Sequence, residues 1–396
     1  MAAKKVLFVT PTVIAQHTSG GMQVTQERLD ALAKISDVTV LALEVDDQAR
    51  KAYPSIDWIT AGNLRARSTQ NLFLSYTAGL PLSVWRNSHK EFVSAAKKLS
   101  EEHYDLAYVD HWLVAEAGLN CHADRRVLHL HNAEPEIFFR AALHARQPTR
   151  TVLELEGHRC VRYLSRITPK FDELHLLSGD DLSNLATRGI SNEHTSIFYP
   201  AAPKPPSAIA AFATRNDSIL FVGTLSWHAN HEGLRWYAEH IHPHLPADID
   251  MDVIGGGAPQ SLSSMLIEHR NIIAHGYVDD IEPFYASAKC LVAPLLSGSG
   301  IKIKILHALT RGLPVVTTTT GIEGFPAGYG SAVQVSDKPE EMASFIQRLT
   351  IDRTAWEQAS SAALDYAHKH FSGADWHNWT THILSDKVNQ CLPSHS

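Results

Sequence analysis

The same alternation of predicted strands and helices runs twice along the 396-residue chain, and it restricts the fold more than any other feature. Short apolar runs rich in β-branched residues, such as KVLFVTP at 5–11, are separated by longer stretches with helical periodicity. Runs of this kind predict parallel strands that helices cover on both faces. Residues 201–216, AAPKPPSAIAAFATRN, interrupt the alternation with three prolines and predict a linker. The chain is therefore predicted to be α/β, with two Rossmann-like domains.

The domain boundaries follow from this division. An N-terminal domain is expected over 1–200, a linker over 201–217, a second domain over 218–372 and a terminal helix crossing back to the first domain over 373–396. Strands are predicted at 5–11, 38–43, 106–110, 126–131, 174–178, 195–200, 218–223, 250–254, 272–278, 290–294, 315–319 and 332–335. Ligands of parallel sheets bind beyond the carboxyl ends of the strands. The cleft between the two domains is therefore the expected site.

Charge and cysteine content exclude several classes of function. The net charge of −7 argues against a nucleic-acid partner held by a broad basic surface. Four cysteines, at 121, 160, 290 and 391, lie too far apart for a metal-ligand motif or a disulfide framework, which favours a reducing cytoplasm. No apolar run reaches 18 residues, so no transmembrane helix is expected.

The stretch SGSGIKIKILHALTRGLPVV at 297–316 is the strongest candidate for an anion site. A small-residue loop precedes a predicted helix here, and the backbone N–H groups and dipole of a helix start favour a phosphate. Lys302 lies close enough to the loop to add positive charge. Helical spacing predicts that Lys304, His307 and Arg311 share one polar face. Judged by spacing alone, an ordinary turn with a solvated helix face explains the stretch equally well.

Four segments, in order, resemble the retaining family-4 group of GT-B glycosyltransferases. They are SGGMQVTQERLDALA at 19–33, LHLHNAEPEI at 128–137, FVGTLSWHANHEGLRWYAE at 221–239 and the run from Gly276 to Gly324. The resemblance implies a GT-B fold with an acceptor-binding first domain and a donor-binding second domain. It also implies transfer of a sugar from a UDP- or GDP-linked donor to an acceptor hydroxyl with retention of configuration.

The resemblance carries over to individual positions. It implies that His131 lies close to the transferred sugar, and it makes Ser299 and Lys304 the other candidate catalytic residues. Candidate donor-binding positions are Gly20, Gly21, Gly223, Thr224, Tyr277, Val278, Gly298, Gly300, Ile301, Lys302, His307 and Glu323. Candidate acceptor-side residues are Asp110, His111 and Asn132. His129, two residues before His131, is expected to be structural.

Two departures from the family pattern bear on the donor site. The family usually has a Glu-x7-Glu motif, and the matching positions here are Ser299 and His307. A neutral imidazole can still hydrogen-bond a ribose hydroxyl, although it lacks the two acceptor oxygens of a carboxylate. The family also places Arg and Lys after the first strand of the second domain, and the run 223–228, GTLSWH, contains neither. Lys302 and Lys304 are expected to supply that charge.

The resemblance implies a metal-independent reaction, because positive charge and a helix start can stabilise a nucleoside diphosphate leaving group. No Asp-x-Asp metal motif follows a predicted strand. The acceptor could be a glycan, glycolipid, protein or small molecule, and peripheral contact with the inner face of a membrane is considered. Two alternatives stay open. One is a catalytically silent partner or carbohydrate-binding subunit of the same fold, and the other is a nucleotide-sugar epimerase.

Overall fold

The computed structural model describes residues 3–14 and 20–384, and the chain forms two units. The first unit contains residues 1–200 and 373–396, and the second contains residues 201–372. The chain thus leaves the first unit and returns to it at Gly373. Residues 15–19 of the loop before Gly20 and residues 385–396 of the predicted terminal helix lie outside the described residues.

The first unit is built on a seven-stranded parallel sheet in the order β3-β2-β1-β4-β5-β6-β7. Its strands are β1 Lys5–Val13, β2 Asp37–Val45, β3 Asp57–Thr60, β4 His103–Asp110, β5 His122–Leu130, β6 Glu173–Leu176 and β7 Thr195–Ile197. Its first nine helices are α1 Gly20–Ala33, α2 Asp47–Ala52, α3 Thr69–Thr77, α4 Leu82–Asn87, α5 Lys90–Leu99, α6 Ala115–Leu119, α7 Glu134–His144, α8 Thr149–Ile167 and α9 Gly179–Thr187.

Successive residues of the central strands point to opposite faces of this sheet. On β4, Ala107 and Val109 enter one apolar core, whereas Tyr108 belongs to the core on the other face. The helical stretch over 134–167 divides next to Pro148, because the proline ring fixes φ and removes a backbone donor. The divided region forms α7 and α8.

The second unit repeats the plan with a six-stranded parallel sheet in the order β10-β9-β8-β11-β12-β13. Its strands are β8 Ser218–Val222, β9 Asp250–Ile254, β10 Ile272–Gly276, β11 Cys290–Ala293, β12 Val315–Thr317 and β13 Val333–Val335. Its helices are α10 His228–Trp236, α11 Gln260–Glu268, α12 Glu282–Ser287, α13 Ile303–Thr310, α14 Thr319–Ile322, α15 Pro339–Ile351 and α16 Arg353–His370.

Residues 201–217, predicted as a linker, are part of the second unit. Arg215 anchors the segment, because its Nη1 donates to the backbone oxygens of Tyr285 (2.9 Å) and Ala288 (2.7 Å). Its guanidinium also lies 4.8 Å from the ring centroid of Trp356. A buried arginine with three such contacts ties the proline-rich stretch to the second core.

The last described helix, α17 Ala374–Ile383, lies in the first unit. Trp376 is buried on the Tyr108 face of the first sheet, and Trp379 stacks on it with ring centroids 5.1 Å apart. Trp379 Nε1 donates to Glu173 Oε2 at 3.0 Å. Within residues 3–14 and 20–384, no helix combines the length and the hydropathy that a bilayer crossing requires.

Candidate functional site

Apart from Gly20 and Gly21, which lie in the first unit, the donor-side candidates lie in the second unit, around the point where its strand order reverses. The chain moves from β8 out to β9 and β10, and then returns to place β11 on the other side of β8. Loops that leave neighbouring strands in opposite directions open a crevice at such a point. Gly223 follows β8 and residues 294–302 follow β11, so both flank this crevice.

The Lys304 ammonium lies beside Gly223 at this crevice. Its Nζ donates to Asn230 Oδ1 at 2.6 Å and lies 4.4 Å from the ring centroid of Phe221. A Cβ added at Gly223 would lie 2.9 Å from this Nζ. Burial, together with the charge of Lys302, lowers the pKa of Lys304 to about 7. An anion is therefore the ligand that this position would stabilise most.

The loop before α13 has the backbone that its glycines predict. Gly298 has φ 113° and Gly300 has φ 72°, a region that residues with a side chain rarely adopt. Lys302 is the N-cap of α13, and its Nζ donates to the backbone oxygen of Gly300 at 2.5 Å. Ser297 Oγ fixes the start of the loop by donating to Glu232 Oε2 at 2.7 Å. The helix α13 begins at Ile303.

The remaining donor-side candidates lie on neighbouring loops at the same edge of the sheet. Thr224 is exposed, and its backbone oxygen accepts a hydrogen bond from Asn230 Nδ2 at 2.9 Å. Tyr277 and Val278 follow β10, two strands away from β8, and 62% of the Tyr277 side chain is exposed. Glu323 is half-buried after α14.

Ile301 lies against the segment that contains Glu323, because a Cβ added at Gly324 would meet Ile301 Cγ1 at 2.8 Å. Ser299 lies in the loop between Gly298 and Gly300 and is half-buried. The glycine loop and the α14 segment therefore form one continuous wall of the donor-side cluster.

His307 is half-buried on α13, but the predicted polar face is only partly present. Arg311 is buried and pairs bidentately with the Glu282 carboxylate. The hydrogen bond from Arg311, with smaller effects of the Arg311 and His307 charges, outweighs burial and lowers the pKa of Glu282. Helical spacing predicted the shared face, but it cannot show that Glu282 of α12 pairs with Arg311.

The first unit holds a second cluster, centred on Asp110 at the end of β4. Asp110 Oδ1 accepts from His129 Nδ1 at 2.8 Å and from His131 Nε2 at 2.9 Å. Its Oδ2 accepts from Thr25 Oγ1 at 2.6 Å and from Thr10 Oγ1 at 3.3 Å. All five side chains are buried. The ring nitrogens and carboxylate of this triad lie within 4.8 Å of one another, a set that could also hold a metal ion.

Asp110 stays ionised despite its burial. Burial alone would raise its pKa, but the charge of His131 and hydrogen bonds from both histidines hold that pKa well below its usual range. Burial lowers the pKa of His129 to about 3, so this imidazole is neutral near pH 7. A neutral imidazole can donate to a carboxylate only through its protonated nitrogen, which places the His129 proton on Nδ1.

His111, directly after Asp110, is the one non-glycine residue with positive φ among the described residues, at 103°. Backbone strain of this kind persists where the surrounding structure enforces it, and it is concentrated at functional sites. Burial, followed by the His131 charge, lowers the pKa of His111. Its Nε2 lies 3.7 Å from Glu134 Oε1, and burial raises the pKa of Glu134 to about 7.

Other first-unit candidates surround His131. Gly20 and Gly21 are the first residues of α1, and a Cβ added at Gly21 would lie 3.4 Å from His131 Nδ1. Asn132 follows His131, and its backbone oxygen accepts from the Glu134 N–H at 2.9 Å. The structure thus brings Gly21, Asp110 and His131 together at the carboxyl edge of the first sheet.

Sequence reasoning missed two contributors to these clusters, Asn230 and Thr25, and named a third, His129, only as a structural residue. Asn230 holds Lys304, and its place at the start of α10, just after β8, was the signal that could have identified it. Thr25 lies one turn into α1, and nothing in its local sequence indicates its bond to Asp110. His129 shares the face of β5 that His131 continues, and their spacing of two residues was the available signal.

Comparison with known proteins agrees with this architecture. HepE of Anabaena, solved in complex with UDP-glucose, is 15% identical with a TM-score of 0.66, covering 96% of this chain and 99% of that one. Sucrose-phosphate synthase of Thermosynechococcus elongatus is 13% identical with a TM-score of 0.70, covering 96% and 98%. WaaG, a glycosyltransferase involved in lipopolysaccharide biosynthesis, is 16% identical with a TM-score of 0.66, covering 95% and 99%.

The chain has the GT-B fold. The predicted fold class is thereby confirmed, and so is the resemblance to GT-B glycosyltransferases, because the family model "Glycosyl transferases group 1" matches residues 216–352. That match covers the strands β8–β13 and the loops that carry the donor-side candidates of the second unit. A protein of Klebsiella pneumoniae, "Uncharacterized 44.6 kDa protein in cps region", is 24% identical over 355 residues, covering 84% of this chain and 87% of that protein.

Proposed function

We propose that this GT-B protein is a glycosyltransferase that moves a sugar from a nucleoside diphosphate sugar to an acceptor hydroxyl. The observation that carries the proposal is the Lys304 ammonium, held by Asn230 beside Gly223 at the crevice of the second sheet. The family match of residues 216–352 and the UDP-glucose complex of HepE support a nucleotide-sugar donor.

The donor diphosphate is proposed to lie between Gly223 and the loop at 298–302. The start of α13 and the loop N–H groups would donate hydrogen bonds, and Lys304 would supply charge. These groups can stabilise a leaving diphosphate without a divalent cation, so the reaction is proposed to be metal-independent. The Ser299 position is proposed to face the transferred sugar and the His307 position the ribose.

In the first unit, His131 is proposed to lie near the transferred sugar, with Asp110 fixing its ring. Retention of configuration follows the resemblance to family-4 enzymes and is part of the proposal. The acceptor is proposed to be a glycan or glycolipid, since WaaG acts in lipopolysaccharide biosynthesis and the Klebsiella relative is named for a cps region. The transfer is proposed to take place in the cytoplasm.

Peripheral membrane contact is proposed through the segment 58–90. This segment contains three arginines and one lysine and no carboxylate, in a chain of net charge −7. On α3 the polar Ser75 is buried, whereas 68% of the apolar Phe73 side chain is exposed, the reverse of the usual pattern. An exposed aromatic ring among arginines fits an anionic lipid surface. Sedimentation with anionic vesicles, but not with neutral ones, should be lost in Phe73→Ser.

The test of the proposed function is calorimetry with UDP and GDP, followed by product analysis with the nucleotide sugar that binds. We expect one nucleoside diphosphate to bind and its sugar to be transferred with the anomeric configuration unchanged, without added metal. Binding without transfer or hydrolysis would favour the catalytically silent subunit. Epimerised sugar in the absence of acceptor would favour the epimerase. No binding of either nucleotide would overturn the donor assignment.

A further inference from the structure

A row of polar side chains lies where α17 packs on the first sheet. The proposed function above does not explain these side chains. The row occupies the face of the first sheet that also carries Asp110 and His129. Five buried polar atoms in it have no hydrogen-bond partner among the described residues, namely Tyr108 OH, His129 Nε2, His175 Nδ1, Trp376 Nε1 and Arg28 Nε. Buried polar atoms are almost always paired, with protein groups or with ordered water. Five unpaired atoms in one cluster therefore require an explanation.

Three of the other four side chains pack around the Tyr108 ring, and the fourth, Arg28, packs on Trp376. The Tyr108 ring centroid lies 5.8 Å from that of His129, 5.8 Å from that of His175 and 5.3 Å from that of Trp376. The Arg28 guanidinium lies 4.4 Å from the Trp376 ring centroid. The polar atoms of this group are thus carried by side chains in mutual contact.

Donors and acceptors in the group are complementary. His129 Nδ1 donates to Asp110, so its Nε2 carries a lone pair. Burial lowers the pKa of His175, so its ring is neutral near pH 7, and its Nε2 donates to Glu173 Oε2 at 3.0 Å, which leaves a lone pair on Nδ1. Trp376 and the Arg28 Nε can only donate, and the Tyr108 hydroxyl can do both. A buried water makes about three such bonds, so two waters would satisfy the five atoms.

We propose that internal water beneath α17 bridges Tyr108, His175 and Trp376 to His129, and that this network positions His131 through Asp110. A donor at His129 Nε2 keeps the His129 proton on Nδ1, where it serves Asp110 Oδ1. That same oxygen accepts from His131 Nε2, so the network fixes the orientation of the His131 ring. Tyr108 and His129 are thus positioning residues, and their role in transfer rests on the proposed function of His131.

The test uses the full chain labelled with ¹⁵N-histidine, and Tyr108→Phe as the variant that removes only the hydroxyl. Tyr163→Phe is the matched control, because its hydroxyl is also buried without a partner but lies in the core on the opposite face. In the wild type we expect ¹⁵N shifts of a His129 ring protonated at Nδ1 and hydrogen-bonded at Nε2. Tyr108→Phe should move the His129 and His131 resonances and lower Tm by roughly 2–4 °C. Tyr163→Phe should move neither resonance.

Two results would overturn the inference. Unchanged His129 and His131 resonances with a raised Tm in Tyr108→Phe would mean that the hydroxyl is dry and uncoupled. Stoichiometric Zn²⁺ binding to the wild type that is lost in His129→Gln would mean that the triad holds metal. The proposed function is judged separately, since a protein that shows the coupled resonances but binds neither UDP nor GDP would retain the network and lose the transferase assignment.

Discussion

At the scale of single residues, Lys304 is the group whose environment most limits what can bind. Its ammonium is held against Asn230 and the Phe221 ring, and burial lowers its pKa. A cation desolvated in this way gains more from an anionic ligand than a solvated surface lysine does.

The first prediction is that Lys304→Ala weakens UDP or GDP binding by about tenfold to a hundredfold, because a charge-assisted hydrogen bond contributes roughly 1.5–3 kcal/mol. The uncharged nucleoside should lose much less affinity. His307→Ala should weaken both ligands alike if His307 contacts the ribose. Calorimetry measures all four values, and Lys338→Ala, at an exposed lysine paired with Glu341, is the control. Equal losses for both ligands in Lys304→Ala would leave the lysine a purely structural role.

The second prediction concerns pH. In the ligand-free protein the pKa of Lys304 is about 7, and a bound diphosphate should raise this pKa. Binding above pH 7 is therefore expected to take up a proton. Affinity for a nucleotide sugar should therefore be highest below pH 7 and fall by up to about tenfold for each unit above it. Lys304→Arg keeps its charge at every accessible pH and should flatten this dependence. A wild-type affinity that is constant from about pH 6 to 8.5 would contradict the shifted pKa.

At the scale of elements, the turn after β8 determines whether the crevice is open. A Cβ at Gly223 would lie 2.6 Å from Asn230 Nδ2 and 2.9 Å from Lys304 Nζ. Both neighbours are ends of side chains, so the fold can accommodate the methyl group by displacing them. The displaced Lys304 ammonium would then no longer lie where it can pair with the proposed donor diphosphate.

The third prediction is that Gly223→Ala reduces nucleoside diphosphate affinity by about tenfold, because the ligand loses one charge-assisted hydrogen bond. The Tm should change little, because no core contact is lost. Gly179→Ala is the matched control, since a Cβ there would meet nothing closer than 4.0 Å. Calorimetry and thermal unfolding on both variants separate the two effects. Full affinity in Gly223→Ala would place the donor elsewhere.

Strands and helices with long apolar runs were predicted well from the sequence, whereas those with short runs were predicted poorly. β9 was predicted with its observed bounds, whereas β3, the four-residue edge strand DWIT, was missed, as were α2–α4. Residues 46–87 lack long apolar periodicity, so their placement depends on tertiary contacts. The Lys304 position could be predicted from its loop, but its bond to Asn230 joins residues 74 positions apart. Local patterns contain no information about such a contact.

At the scale of the whole molecule, the chain order separates the first unit into two segments. Residues 3–14 and 20–200 form all seven strands, and α17 covers their Tyr108 face after the second unit is complete. Burying Trp376 and part of Trp379 stabilises this face by on the order of 5–10 kcal/mol as an upper estimate. That range is comparable with the stability of an entire domain.

The fourth prediction is that a chain ending at Ser372 keeps a folded second unit but loses the cooperative unfolding of the first. The exposed Tyr108 face should make residues 1–200 sensitive to limited proteolysis, whereas residues 201–372 stay protected. A peptide of residues 373–396 added in trans should restore protection, and the same peptide with Trp376→Ala should not. A truncated chain with both units intact would show that α17 contributes little to the stability of the first.

The return of α17 also has a consequence during synthesis. A ribosome completes the seven strands of the first unit long before it translates Trp376, and a translation rate of about 5–20 residues per second makes that interval roughly 9–35 s. Throughout that time the nascent first unit presents an aromatic surface to the crowded cell. The time taken to translate residues 201–372 therefore sets how long that surface stays uncovered.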